Sequence, residues 1–122
     1  MSDAVSAYID RVSEEARVLL AGVERTYDAA RKLWGLGMDG ATDEALRDVA
    51  WPLWLIWGNL TDRVDGPGGD QPGAEEAASA EMRRAASEWL DSVSDPAART
   101  AYLDRWVYEE CGYERPKPDD HA

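Results

Sequence analysis

Apolar residues recur at alternating steps of three and four along the first part of the chain. The residues on this stripe are Val5, Ile9, Val12, Ala16, Leu19, Val23, Tyr27, Ala30 and Trp34. Because this spacing places apolar side chains on one helical face, it predicts one long amphipathic helix over residues 3–34. Gly22 lies inside it, where it either admits a neighbouring helix closely or marks a break. Gly35, Gly37 and Gly40 predict the end of this helix.

The densest apolar stretch of the chain follows at residues 50–60, where three of the six tryptophans fall within seven positions. A cap at Thr42 predicts a second helix over residues 43–65, apolar on nearly every side and therefore buried. Pro52 lies inside this helix and cannot donate a backbone hydrogen bond. Because Trp51 is a poor residue to cap a new helix, we expect a kinked but continuous helix.

The second half of the chain predicts two shorter helices. Residues 65–73 contain four glycines and two prolines, which predicts a loop, and a third helix follows over residues 75–93. Asp95 and Pro96 then predict a helix start, because aspartate caps well and proline suits the first helical position.

The fourth helix runs over residues 96–111. Four helices with short connections predict an all-α chain, an up-down antiparallel four-helix bundle with a long first helix and a Pro-kinked, Trp-rich second helix. We expect one domain over residues 1–112 and an extended or mobile tail over residues 113–122, which has no apolar period.

The predicted helices differ in length. At 1.5 Å per residue the first is about 50 Å long, whereas the third and fourth are shorter than about 30 Å. Unless the first helix breaks near Gly22, part of its apolar stripe overhangs and must be covered by the tail, by a second copy of the chain or by a partner. This mismatch suggests a homodimer through the first helix or a complex.

Charge narrows the choice of partner. The net charge is -12 and the pI is near 4.3, which opposes binding to nucleic acid or to an anionic membrane and favours a basic partner. The alternative explanation is that the negative charge only keeps a tryptophan-rich domain in solution. The uncharged window at residues 49–61 is too short to span a bilayer.

Other composition signals concern the cell compartment. One cysteine excludes an internal disulfide, and the first residues lack the features of a secretory signal. We therefore expect a cytoplasmic protein. Arginine exceeds lysine strongly, and this bias is typical of a GC-rich bacterial genome.

Few residues offer catalytic chemistry. The single histidine, His121, lies next to the C-terminus, so the commonest general base and metal ligand is missing from the predicted helices. Cys111 lies on the apolar face of the fourth helix beside Glu109 and Glu110, which favour the protonated thiol, and we interpret it as a core residue. We predict no catalytic residue, no metal site and no cofactor.

The tryptophans are the feature that suggests a site. Indole suits core packing, partner hot spots and cation-binding cages, so both a structural and a binding role stay open. If a pocket exists, we expect it at the Pro52 kink, where a free carbonyl meets aromatic faces and an amide. The candidate ligand- or partner-binding residues are Trp51, Trp54, Trp57 and Asn59.

Together these observations favour a non-enzymatic acidic helical protein. Its expected role is to bind and regulate or neutralise a basic protein partner, as an immunity protein, an antitoxin or an adaptor does. The alternative is a small-molecule binding domain or an unusual enzyme with a tryptophan-lined pocket in its core. A cavity lined by Trp51, Trp54, Trp57, Trp89 or Trp106 favours the alternative, and a solid core counts against it.

Overall fold

The computed structural model describes residues 3–116, and within this range the chain is all-α and contains no strand. The all-α prediction is confirmed. The elements are α1 (Asp3–Ala21), α2 (Thr26–Ala41), α3 (Arg47–Asp65), α4 (Ala74–Ser92) and α5 (Pro96–Arg105), followed by a short π-helix (Trp106–Glu110). Residues 3–116 therefore contain five α-helices where the sequence predicted four.

The difference arises at Gly22, where the predicted first helix divides into α1 and α2. Gly22 adopts a left-handed conformation with φ of 70°, which ends a helix and which glycine adopts without steric cost. Val23 continues the apolar stripe in sequence but is 77% exposed in the turn. α1 packs against α2, so no part of a long first helix overhangs. Helix length therefore no longer argues for a homodimer, and the homodimer stays a prediction.

The glycines that predicted a helix end lie inside a helix instead. α2 continues through Gly35, Gly37 and Gly40 to Ala41. A Cβ atom on Gly37 would lie 2.6 Å from the backbone nitrogen of Trp54. Gly37 and Gly40 therefore lie where α2 approaches α3 closely, since their missing side chains leave room for the neighbouring helix, whereas a Cβ atom on Gly35 would have no neighbour within 4 Å.

The start of α3 also differs from the prediction. Thr42 does not cap α3, because its hydroxyl donates to the carbonyl of Asp39 near the end of α2. A turn over residues 42–46 separates the helices, and α3 begins at Arg47. The helix then runs through Pro52 without interruption, which confirms the prediction of one continuous helix.

The later boundaries agree well with the sequence. Residues 66–73 form turns, and α4 begins at Ala74, one residue before the predicted start. The Asp95 side chain accepts a hydrogen bond from the backbone nitrogen of Ala97 at 3.1 Å, and Pro96 opens α5. The predicted fourth helix is therefore present as α5 and its π-helical continuation.

All five α-helices contribute side chains to one buried core. Trp57, Trp89 and Trp106 each expose 1% of their surface or less. The indole nitrogen of Trp89 donates to the hydroxyl of Ser13 at 3.0 Å, which joins α4 to α1. These three tryptophans are therefore core residues, and the indole N–H groups of Trp89 and Trp106 have hydrogen-bond partners, as buried indoles usually do.

The predicted tail is described only in part. Residues 113–116 have no regular secondary structure, and the backbone nitrogen of Tyr113 donates to the carbonyl of Val107 at 3.1 Å. Residues 117–122, including His121, lie outside the described residues. Within residues 3–116, the helices lack an apolar stretch long enough to cross a bilayer.

Candidate functional site

A groove of about 510 Å³ runs between α3 and the segment formed by α5 and the π-helix. We name it the Trp51 groove. Its α3 wall includes Asp48, Trp51, Pro52 and Leu55, and its opposite wall includes Leu103, Asp104, Val107 and Tyr108. Apolar side chains line both walls, together with Asp48 on α3 and with Arg99, Thr100 and Asp104 on α5.

Trp51 is the most prominent side chain of this site. It is 47% exposed, and its ring meets that of Trp54 edge-on, with centroids 4.9 Å apart. A second depression of about 630 Å³ continues from the groove past Trp51 towards Ala41 and Arg47. A large indole that is held by one aromatic neighbour and still faces solvent has the properties of an interface anchor.

Both walls of the groove contain an irregular helix. On α3, Pro52 has no N–H, so it cannot donate the helical hydrogen bond to the carbonyl of Asp48. On the other wall, the backbone nitrogen of Cys111 donates to the carbonyl of Trp106 at 2.8 Å, which is the five-residue spacing of a π-helix. Short π-helical segments are frequent at functional sites, and this one places Val107 and Tyr108 on the groove wall.

A half-buried ion network fixes the π-helix against α4. The guanidinium of Arg84 donates to Glu81 and Glu88 on its own helix and to Glu110 at the end of the π-helix. It also lies 4.5 Å from the ring centre of Trp106. The hydrogen bonds that Arg84 donates to Glu81 and Glu110 raise the pKa of Arg84 above its usual value. The rear of the groove wall is thus held by charge-assisted hydrogen bonds, which are stronger than neutral ones.

An exposed carboxylate, that of Asp48, lines the α3 wall of the groove. Asp43 and Glu44, which are also exposed, precede it in the turn before α3, and we call these three residues the acidic rim. Among residues 3–116, no lysine or arginine lies within 4 Å of their carboxylates. The nearby Arg47 donates instead to the carbonyl of Ala41. The acidic rim is therefore available to a basic ligand.

The four candidate residues from the sequence take different places. Trp51 lines the groove and touches Trp54, whose backbone faces Gly37 of α2. Trp57 is buried in the core. Asn59 is half-buried, and its side-chain oxygen accepts a hydrogen bond from Arg63 at 3.2 Å. The structure therefore brings Trp51 and Trp54 together and separates Trp57 and Asn59 from them.

Sequence reasoning missed the second wall of the groove. The apolar residues of the fourth predicted helix come as two adjacent pairs, Tyr102 with Leu103 and Trp106 with Val107. Tyr102 and Trp106 pack near each other in the core, whereas Leu103 and Val107 also line the groove. That pattern gave no signal of a groove, because a single buried helix face is also apolar at adjacent positions in successive turns.

The described residues offer little for catalysis. Within residues 3–116, no three or more histidine, cysteine, aspartate or glutamate side chains are grouped as a metal site. Burial raises the pKa of the Cys111 thiol to about 11, so the nucleophilic thiolate is scarce at neutral pH.

Comparison with protein-family models, with curated protein sequences and with solved structures gives no match for this chain. Its function is therefore argued from its own residues.

Proposed function

We propose that this chain is a non-enzymatic binding protein that holds a basic segment of a protein partner in the Trp51 groove. The observation that carries the proposal is the position of Trp51, 47% exposed at the mouth of an apolar groove. Exposed tryptophans that are fixed by a neighbouring ring commonly supply a large share of the binding energy of an interface.

The charge distribution supports a basic partner. The chain carries a net charge of -12, and Asp48 and Asp104 line the groove together with one arginine, Arg99, whose guanidinium donates to the carbonyl of Val93. Complementary charge speeds encounter and selects the partner, while the apolar groove supplies most of the affinity. A partner segment with alternating apolar and basic side chains matches both parts of the site.

Such binding would regulate or neutralise the partner, in the manner of an immunity protein, an antitoxin or an adaptor. The acidic surface would cover basic groups that the partner otherwise uses elsewhere. A homodimer through the first helix is a separate expectation, and native mass measured on the same samples tests it.

The test compares three forms of the full chain: the wild type, Trp51→Ala and Val23→Ala. Each is used to capture partners from a lysate of the source organism, followed by native mass spectrometry and titration of the captured protein. Val23 is a matched control, because it is exposed and apolar but lies in the turn between α1 and α2. We expect Trp51→Ala to weaken the complex by a factor of about 30 or more, as for a hot-spot residue, and Val23→Ala to leave it unchanged.

Two results contradict the proposal. One is a partner that binds the wild type and Trp51→Ala equally. The other is a captured partner whose contact surface is acidic, because the acidic rim would repel it.

A second candidate function is small-molecule binding in the same groove. Its volume of about 510 Å³ falls in the range of ligand pockets, roughly 300 to 1,000 Å³. Trp57, Trp89 and Trp106 fill the core, so a ligand would take the groove between α3 and α5. Extra small-molecule mass on the wild type that is lost in Trp51→Ala, without a protein partner, favours this candidate.

A further inference from the structure

Arg115 makes a defined set of contacts at the edge of the Trp51 groove. Its two terminal nitrogens donate to the two carboxylate oxygens of Asp104, at 2.8 and 3.0 Å. Its guanidinium carbon lies 4.5 Å from the ring centre of Tyr108, and a carboxylate oxygen of Glu109 is 3.6 Å from one nitrogen. One guanidinium is thus held by two acids and an aromatic ring.

This geometry suits arginine better than lysine. The planar guanidinium matches both oxygens of a carboxylate at once and stacks on an aromatic ring, whereas an ammonium group is a single strongly hydrated charge. Arg25 has a similar environment elsewhere in the chain, since its guanidinium carbon lies 4.8 Å from the ring centre of Tyr27. It also donates twice to one carboxylate, that of Glu75, but this pair joins the start of α2 to α4 and does not line the groove.

The residues that hold Arg115 belong to the groove itself. Asp104 and Tyr108 both line it, whereas Arg115 comes from the segment after the last helix, which has no regular secondary structure. The side chains of Arg115 and Asp104 are 52% and 47% exposed. An exposed ion pair contributes little to stability, so Arg115 can move away from Asp104 without disrupting a helix.

We infer that Asp104, Tyr108 and Glu109 form an arginine-binding subsite at the edge of the Trp51 groove, which Arg115 fills in the free protein and an arginine of the partner takes over. This inference rests on the proposed function for the identity of the incoming arginine, which belongs to the basic partner. The subsite itself is defined by the contacts of Arg115. The subsite requires that the partner has an arginine at this position, in addition to a general positive charge.

The subsite is tested without the partner, using the full chain and two small probes. N-acetyl-arginine methylamide and N-acetyl-lysine methylamide are titrated into the wild type and into Arg115→Ala, and backbone NMR signals of Asp104 and Tyr108 report binding. Because removal of Arg115 frees the subsite, we expect Arg115→Ala to bind the arginine probe about fivefold more tightly than the wild type does. The lysine probe should bind more weakly than the arginine probe.

Two variants serve as controls. Arg17→Ala removes another exposed arginine, paired with Glu14 at 3.7 Å, and should leave probe binding unchanged. The double variant with Arg115→Ala and Asp104→Asn should lose the gain, because its amide no longer offers two charged acceptors. Circular dichroism confirms that each variant keeps its helices.

The outcomes separate this inference from the proposed function. Equal binding of the arginine probe to the wild type and to Arg115→Ala, or equal binding of both probes to Arg115→Ala, overturns the subsite. If that occurs while a partner still depends on Trp51, the proposed function stands without it. If Arg115→Ala gains arginine binding and no Trp51-dependent partner exists, the subsite stands and the proposed function fails.

Discussion

The two sides of α3 show two different ways for a helix to meet its neighbour. On the side facing α2, glycines bring the helices so close that a Cβ on Gly37 would lie 2.6 Å from the backbone of Trp54, and one on Gly40 would lie 2.6 Å from the Cβ of Ala50. On the side facing α5, the helices leave a groove of about 510 Å³. One helix thus has a closed side and an open side.

The difference teaches where binding surface is available in a small helical protein. Close approach on the closed side needs small residues, and it removes solvent from both helices. The open side has large side chains, Pro52 and a π-helix, which prevent regular packing and keep Trp51 near solvent. In this bundle the groove lies where the helix packing is least regular, while the closed side holds α3 in place.

The largest effect on stability is expected inside the core. Trp57 on α3 is 1% exposed, and Trp57→Ala leaves a cavity that the surrounding helices fill only in part. We expect it to lower the free energy of unfolding by about 3–5 kcal/mol, measured by urea denaturation. Trp57→Phe, which retains an aromatic ring, should cost less. If Trp57→Ala and Trp51→Ala cost the same, the distinction between core and groove tryptophans is wrong.

The closed side is tested next by Gly37→Ala. The new methyl group meets backbone atoms of Trp54, which cannot move aside as a flexible side chain does, so the helices must separate. We expect a loss of about 2 kcal/mol in the free energy of unfolding.

Gly35→Ala is the matched control in the same helix. A Cβ at Gly35 has no neighbour within 4 Å, and alanine favours the helix by up to about 1 kcal/mol. Opposite signs for the two variants support close packing at Gly37. A Gly37→Ala protein as stable as Gly35→Ala would show that α2 and α3 are farther apart.

Tyr8 gives the closed side a pH dependence. Its ring lies against Gly40, its hydroxyl donates to the carbonyl of Leu36 at 2.7 Å, and burial raises its pKa to about 12. Since the unfolded chain has a tyrosine pKa near 10, this stabilisation is complete below pH 10 and is lost as the pH rises to about 12.

Tyr8→Phe removes that contribution together with the hydrogen bond. At pH 7 we expect a loss of about 1 kcal/mol in the free energy of unfolding, and a smaller further loss between pH 8 and pH 11 than in the wild type. Burial also raises the pKa of Tyr102, which remains in both proteins, so the difference between the two urea titrations isolates Tyr8. Identical pH dependence would contradict the assignment.

The smallest effect is expected on the open side. Trp51→Ala removes a half-exposed ring and its edge contact with Trp54, so the free energy of unfolding should fall by less than about 1 kcal/mol. Its thermal midpoint should therefore stay near that of the wild type while partner binding is lost. A large loss of stability would mean that Trp51 is a structural residue.

Local signals in the sequence predicted part of this fold. The Asp95 cap and Pro96 marked the start of α5, because capping depends on neighbours in the chain. The apolar stripe through α1 and α2 could not reveal the break at Gly22, since the same spacing continues on both sides of the turn. Gly37 and Gly40 resembled a helix end because glycine serves both at helix ends and at close helix contacts.

The candidate site was predicted to a smaller extent. Pro52 pointed to the part of α3 where Trp51 lines the groove, and the binding role of this region stays a prediction. The sequence could not show that Trp57 is buried while Trp51 is exposed. Helical spacing gives the direction of a side chain around the helix axis, but it does not show which neighbouring helix lies in that direction. The wall formed by Leu103 and Val107 depends on how α5 docks against α3, which is a tertiary property.

The close glycine contacts between α2 and α3 also bear on how the chain folds. Gly40 and Ala50 are near neighbours in sequence, so closing the loop between them costs little entropy. The hydrogen bond between Trp89 and Ser13 joins residues 76 positions apart and costs more to close. Contacts of short sequence separation favour rapid folding. We therefore expect α2 and α3 to pair early, as a nucleus on which α1 and α4 later assemble.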